Sequence, residues 1–325
     1  MENSYGVLDT ITATAAWIWQ PIAGKRPPPD LPPPKDSDLV WEAYATCRRD
    51  PTKRGRTQPQ GWRGDEMDCG EDSFMLTERV LGVADGVGSW RKKGVDPSIF
   101  ANRLMENAKS YVDTDRDFDP LSVMQKAYSQ ICKKKEVKAG SSTAVIASMV
   151  NNDGLMKVAN LGDSGLMVVR DQKCHFLMEE KQWQFNTPYQ LTAPPPNWGS
   201  SPYGDQPEQS AVSSVQLQEG DLVVLGSDGL FDNLFPNEIA EIVSHANQKH
   251  TSLFTQWMRP ALSVKATSEL LKERVFVASQ DRYRNTPFSQ DAEKHGLRYG
   301  GGKSDDITVI VAKIMRRSEL QIGRS

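Results

Sequence analysis

The sequence predicts an α+β fold with mostly antiparallel sheets. Strand-like apolar runs cluster in the middle of the chain and recur near its end. Two helical stripes precede the central group and two more follow it. Short turn-forming stretches such as Asn151-Asn152-Asp153-Gly154 join neighbouring strands into a meander. This order suggests strands and helices segregated into layers rather than a parallel βα alternation.

Residues 1–40 read as a tail or linker. Pro27-Pro28-Pro29 and Pro32-Pro33-Pro34 favour an extended, solvated backbone. Folding is expected to begin near residues 40–47, and residues 48–64, rich in Arg, Lys, Pro and Gly, read as a loop. Asp96-Pro97 is a cap followed by a first-turn proline. Ile99, Phe100, Leu104, Met105, Ala108 and Val112 then recur at helical spacing. A second helix runs from Pro120, with Leu121, Met124, Ala127, Tyr128 and Ile131 on one face. Strands are expected over 143–150, 156–160 and 165–170. Residues 197–214, rich in Ser, Pro, Gly and Gln, read as a surface loop or connector. A strand over 222–226, helices over 237–247 and 260–280, and a strand over 307–314 complete the set.

At 325 residues the chain has room for one large domain or two smaller ones. The net charge of −3 provides no basic field for nucleic acid. Cys47, Cys69, Cys132 and Cys174 lack zinc or redox spacing, which argues against a disulfide framework and for ordinary reduced residues. The most apolar N-terminal stretch, 11–22, is shorter than the ~20 residues a membrane span needs. Glu2 and Asp9, with no basic residue before Lys25 and Arg26, are unlike an Arg-rich import presequence.

Chemistry concentrates in short acidic motifs. They are Glu71-Asp72, Asp85-Gly86 after the run 80–84, Asp228-Gly229 after 222–227, and Asp305-Asp306 just before 307–311. Carboxylates at the ends of buried strands are costly like charges unless cations neutralise them. Hard divalent cations take oxygen ligands, so Glu71, Asp85, Asp228 and Asp305 suggest two Mn²⁺ or Mg²⁺ ions. Asp85 is the candidate bridge, and Gly86 lets its backbone carbonyl approach a metal. A water held between two cations becomes a nucleophile near neutral pH, which suits phosphomonoester hydrolysis with Asp85 and Asp228 as the central groups. Each motif alone is weak, because Asp-Gly is commonly a turn.

Taken in order, Glu71-Asp72, Asp85-Gly86, Gly140-Ser141-Ser142-Thr143-Ala144, Gly162-Asp163-Ser164, Asp228-Gly229 and Asp305-Asp306 resemble the metal-dependent serine/threonine protein phosphatases of type 2C. The resemblance covers residues 43–315 and leaves 316–325 as a tail. Residues 82–90, 185–191 and 301–309 look like the mitochondrial branch. The resemblance implies a four-layer αββα sandwich of two sheets flanked by helices, with the metals at one edge between the sheets. Asp85 would bridge, Glu71 and the Gly86 carbonyl would hold one metal, and Asp228 and Asp305 the other. Asp163 and Asp232 match ligands of a weaker third metal.

Two positions depart from that pattern. Met67 stands where many members have a phosphate-binding Arg, and Val87 where many have His. Arg91 or Arg63 is the candidate replacement clamp. The resemblance implies phosphoprotein substrates and a mitochondrial location, with cytoplasm or nucleus as the alternative. Neither nucleic acid nor a membrane span is expected, and the chain is expected to be a monomer. A pseudophosphatase, or phosphoprotein-binding module with the same fold, is the second reading.

Overall fold

The computed structural model describes residues 38–53, 67–115, 118–134, 137–195, 204–247 and 263–322. In chain order the strands are β1 (Leu39–Arg48), β2 (Asp72–Leu76), β3 (Val80–Asp85), β4 (Gly140–Ser142), β5 (Ala144–Met149), β6 (Leu155–Leu161) and β7 (Gly165–Arg170). They continue as β8 (Lys173–Leu177), β9 (Gln182–Gln184), β10 (Thr187–Pro188), β11 (Leu191–Ala193), β12 (Ala211–Gln216), β13 (Leu222–Gly226) and β14 (Ile307–Arg316). The helices are α1 (Ser98–Asp115), α2 (Pro120–Lys134), α3 (Asp228–Phe231), α4 (Pro236–Val243), α5 (Val264–Gln280), α6 (Pro287–Lys294) and α7 (Arg317–Ile322).

Two five-stranded antiparallel sheets form the centre, ordered β1-β14-β13-β7-β8 and β12-β6-β5-β3-β2. The strands read as continuous apolar runs because both of their faces are covered. In β14, Ile310, Ala312 and Ile314 enter the core between the sheets, whereas Ile307, Val309 and Val311 face α4 and α5. In β3, Leu81 and Val83 face the same central core, and Val80 and Ala84 face α1 and α2. The period-2 alternation of a strand thus feeds two apolar layers at once. The result is the four-layer αββα sandwich expected from the resemblance, with antiparallel sheets throughout.

The helices form for legible reasons. The Asp96 carboxylate accepts the Ser98 N–H at 3.0 Å and starts α1. Phe100, Leu104, Met105, Ala108 and Val112 then bury one stripe against Met75, Ala84, Ile146 and the α2 residues Met124, Ala127 and Ile131. Ser263 caps α5, its hydroxyl accepting the Ala266 N–H at 3.2 Å.

Three expectations are corrected. Cys47 and Cys69 are joined in a disulfide, with Cα atoms 5.0 Å apart. They lie 22 residues apart in sequence, but β1 and the segment entering β2 run to the same edge, which spacing alone does not reveal. Cys132 and Cys174 are free. Residues 204–214 are more than a connector. A turn at Pro207–Gln209 leads into β12, which pairs with β6 along its whole length. Only Ala211 and Val215 of β12 are buried apolar positions, and Ser213 and Ser214 between them mask the strand. The last long helix begins at Val264; residues 260–262, like 1–37 and 54–64, lie outside the described residues.

Candidate metal centre

Strand pairing gathers the acidic motifs at one edge. In the second sheet Asp72 lies opposite Asp85 across the β2–β3 pair. Glu71 precedes Asp72, and its carbonyl accepts the Gly86 N–H at 3.2 Å. In the first sheet Gly226 of β13 faces both Gly165 of β7 and Val309 of β14. Asp228 therefore leaves β13 where Asp163, in the β6–β7 turn, and Asp305-Asp306 enter. Asp232 ends α3 one turn after Asp228.

Two of the Asp-Gly glycines are required by close approach. A Cβ on Gly86 would meet the Pro97 carbonyl at 2.6 Å and the Glu71 carbonyl at 2.7 Å. One on Gly229 would meet the Asp306 carbonyl at 2.1 Å. Asp306 organises the edge rather than facing out of it. Its carboxylate accepts the backbone N–H groups of Glu71 (2.9 Å) and Asp50 (2.8 Å) and pairs with Lys53. That fixes the motif bearing Glu71 against the start of β14 across 235 residues of sequence.

Two buried lysines neutralise the cluster. Lys53 Nζ lies 3.1 Å from Glu71, 2.7 Å from Asp306 and in contact with Asp305. Lys303 Nζ reaches Asp228, Asp232 (2.6 Å) and Asp305 (3.8 Å). Burial would lower the Lys303 pKa, but the carboxylates of Asp228, Asp232 and Asp305 hold it well above its usual range. Arg91, just past the Asp85 motif, places Nε 3.0 Å from Glu71.

Burial and like charge still raise most of the carboxylates. Burial, then Asp72, Asp228 and Asp305, push Asp85 well above the ordinary carboxylate range. Burial and Asp228 do the same to Asp163. Burial pushes Asp232 and Glu180 up to about 7. Asp305 is raised too, by burial and then Asp228. Asp228 is the exception. Burial opposes its charge, but the Lys303 ammonium outweighs that and keeps it below its usual value.

Among the described residues no three acidic side chains close on one point with metal-ligand geometry. The donor chemistry nevertheless fits divalent cations. All the groups are hard oxygen donors, among the described residues no N–H or O–H donor hydrogen-bonds Asp228 Oδ1, and two ammonium groups already lie among the carboxylates. Glu71, Asp85, Gly86, Asp163, Asp228, Asp232 and Asp305 are thus all brought to one edge. Met67 is exposed. Arg63 lies outside the described residues. The roles of Lys53 and Lys303 escaped the sequence reading: Lys53 lies in a loop with no motif, and Lys303, although within 301–309, carries no mark of the acids it meets.

Known proteins resemble this chain in sequence and in fold. A family model described as Stage II sporulation protein E (SpoIIE) matches residues 78–315. The chain is 35% identical over 269 residues to the protein phosphatase PTC7 homolog fig of Drosophila grimshawi, covering 80% of this chain and 84% of the relative. This chain belongs to the type 2C (PPM) family of metal-dependent protein phosphatases. It is also 39% identical over 258 residues to "Probable protein phosphatase 2C 55" of Arabidopsis thaliana, covering 78% of this chain and half of that longer relative. Among solved structures, the photosystem II phosphatase PBCP superposes with a TM-score of 0.66 at 29% identity, over 84% of this chain and 98% of that one. The catalytic domain of the serine/threonine phosphatase PstP, solved with two manganese ions, shares the fold at a TM-score of 0.50 and 15% identity, over 85% of this chain and 99% of that one.

The raised carboxylates set a pH dependence. In the metal-free chain Asp85, Asp163, Asp232, Asp305 and Glu180 bind protons more tightly folded than unfolded. Their contribution to stability is full below the unfolded carboxylate pKa and is lost as pH rises through the folded values, which for Asp232 and Glu180 are about 7. The melting temperature of chelator-treated protein is expected to fall from about pH 5 to about pH 8, and saturating Mn²⁺ should flatten that fall. A metal-free melting temperature that climbs across this window would contradict the assignment.

Proposed function

We propose that the acidic edge is the catalytic centre of a protein serine/threonine phosphatase and that it binds two Mn²⁺ or Mg²⁺ ions. The observation that carries this reading is Asp85. It comes from one sheet and stands in the field of Asp228 and Asp305 from the other, a position suited to bridging. Glu71 and the Gly86 carbonyl would complete one site, and Asp228 and Asp305 the other. Asp163 and Asp232 would serve a weaker third ion. When bound, such ions neutralise phosphate oxygens and lower the pKa of a coordinated water.

The chain's own residues supply position and charge. Asp306 locks the Glu71 motif to β14, so ligands from both sheets keep their spacing. Lys53 and Lys303 hold the edge together without ions and would yield some of their carboxylate contacts to bound ions. Arg91 takes the clamp role open at Met67. Its side chain is 40% exposed while Nε is anchored on Glu71, so its remaining N–H groups have access to a phosphate at the edge. The proposed substrates are phosphoserine and phosphothreonine proteins. A mitochondrial location is supported by the likeness to PTC7 homologues.

Activity on a phosphothreonine peptide should require millimolar Mn²⁺ or Mg²⁺ and vanish in excess chelator. Asp85→Asn and Asp228→Asn should each lower kcat by at least roughly 10³-fold while the fold persists. Retained turnover would remove that residue from the centre. No turnover by the wild-type chain with Mn²⁺ would favour the binding-module reading.

For the clamp, Arg91→Ala should mainly raise KM if the guanidinium binds ground-state phosphate, and lower kcat as well if it follows transition-state charge. Unchanged kinetics in Arg91→Ala with impaired Arg63→Ala would move the role to Arg63.

A further inference from the structure

A cavity of about 450 Å³ is lined by Trp90, Trp183, Pro188, Gln190 and Asp205. It is built into the same framework as the Asp85 motif. Trp90 sits in the turn Gly88–Lys93 that leaves Gly86, and its Nε1–H donates to Ser141 Oγ at 2.6 Å. Ser141 Oγ in turn donates to Gln190 at 2.5 Å, and the Ser141 carbonyl accepts the Val87 N–H at 3.0 Å. On the other side, the Lys181 N–H donates to the Gly162 carbonyl at 2.7 Å, tying the β9–β10 hairpin to the turn that carries Asp163. The cavity walls are therefore hydrogen-bonded to segments that carry two motifs of the proposed centre.

Its lining has a specific chemistry. Trp183 is 63% exposed, unusual for an indole, and is held by stacking on Tyr189 with ring centroids 4.5 Å apart. Asp205 is 6% exposed. Its carboxylate accepts Trp183 Nε1–H at 3.1 Å and the Gln190 N–H at 2.8 Å. Two donors leave part of a carboxylate's acceptor capacity unused. Among the described residues no basic side chain pairs with Asp205, so its charge meets only neutral donors. A buried carboxylate at the edge of an exposed indole matches a cationic side chain, which stacks on the ring and neutralises the acid. A guanidinium suits it best, being planar and weakly hydrated. The neighbouring Lys93 ammonium, 4.6 Å from the Trp90 ring, shows the same attraction within the chain.

We propose that this cavity takes an arginine or lysine side chain of the phosphoprotein substrate, close in sequence to the phosphorylated residue, and so sets substrate preference. The proposal rests on the phosphatase reading. It is tested by kcat/KM of the Mn²⁺-loaded full chain on phosphothreonine peptides. Each peptide carries a single Arg, Ala or Glu at one position within about three residues of the phosphothreonine, since each residue of extended chain spans ~3.4 Å. A small aryl phosphate is assayed alongside.

At one position Arg should be preferred over Ala by about tenfold, and Glu disfavoured, as a desolvated cation–π contact with a carboxylate behind it would give. Trp183→Ala and, separately, Trp183→Leu should collapse the Arg-to-Ala ratio toward one. Asp205→Asn should collapse the Arg-to-Glu ratio. Turnover of aryl phosphate with no Arg preference at any position overturns the pocket and leaves the phosphatase reading standing. An Arg preference that survives both Trp183 variants also overturns it. Absence of turnover on every substrate instead overturns the reading beneath it.

Discussion

Carboxylates withdrawn from water must find positive charge, and the edge shared by the two sheets gathers them from five chain segments. Glu71 and Asp85 arrive from one sheet, Asp228 and Asp305 from the other, and Asp163 from the turn between β6 and β7. Burial and then mutual repulsion raise the pKa values of Asp85, Asp163 and Asp305. Lys53 and Lys303 relieve the repulsion without removing it. A cluster of hard oxygen donors that keeps this excess of negative charge is suited to divalent cations. The same imbalance links stability, metal affinity and the proposed chemistry.

Rigidity comes from the layers behind that edge. Apolar side chains fill three successive layers, so each strand end is fixed from both faces. Asp306 shows how this is put to use. It is 1% exposed and spends its carboxylate on two backbone N–H groups and Lys53. Gly70 permits this approach, because a Cβ there would lie 2.1 Å from Asp306 Oδ1 and its φ of +68° favours glycine. Of the adjacent pair Asp305-Asp306, one residue locates the edge and the other faces into it.

Much of this was legible in the residues. The continuous apolar runs before Asp85 and Asp228, and after Asp306, marked the strands whose ends meet, and the motif order carried the family and its four layers. The helix stripes of α1 and α2 were plain because their apolar spacing is regular. What stayed hidden depended on distant contacts. The Cys47–Cys69 bond needs two segments brought to one edge, and β12 is masked by its serines. The short strands β8, β9 and β10 expose most of their side chains and leave no apolar alternation to read. Lys53 and Lys303 are single charges whose meaning appears only beside the acids they neutralise.

The central claim is that the two internal ammonium charges stand in for divalent cations bridged by Asp85. Anomalous scattering from crystals grown with Mn²⁺ tests it directly. The account predicts manganese peaks on both sides of the Asp85 carboxylate, one near Glu71 and the Gly86 carbonyl and one near Asp228 and Asp305, with Lys53 and Lys303 drawn back from those acids. A map with no manganese at this edge, and both lysines still paired as they are here, would contradict it.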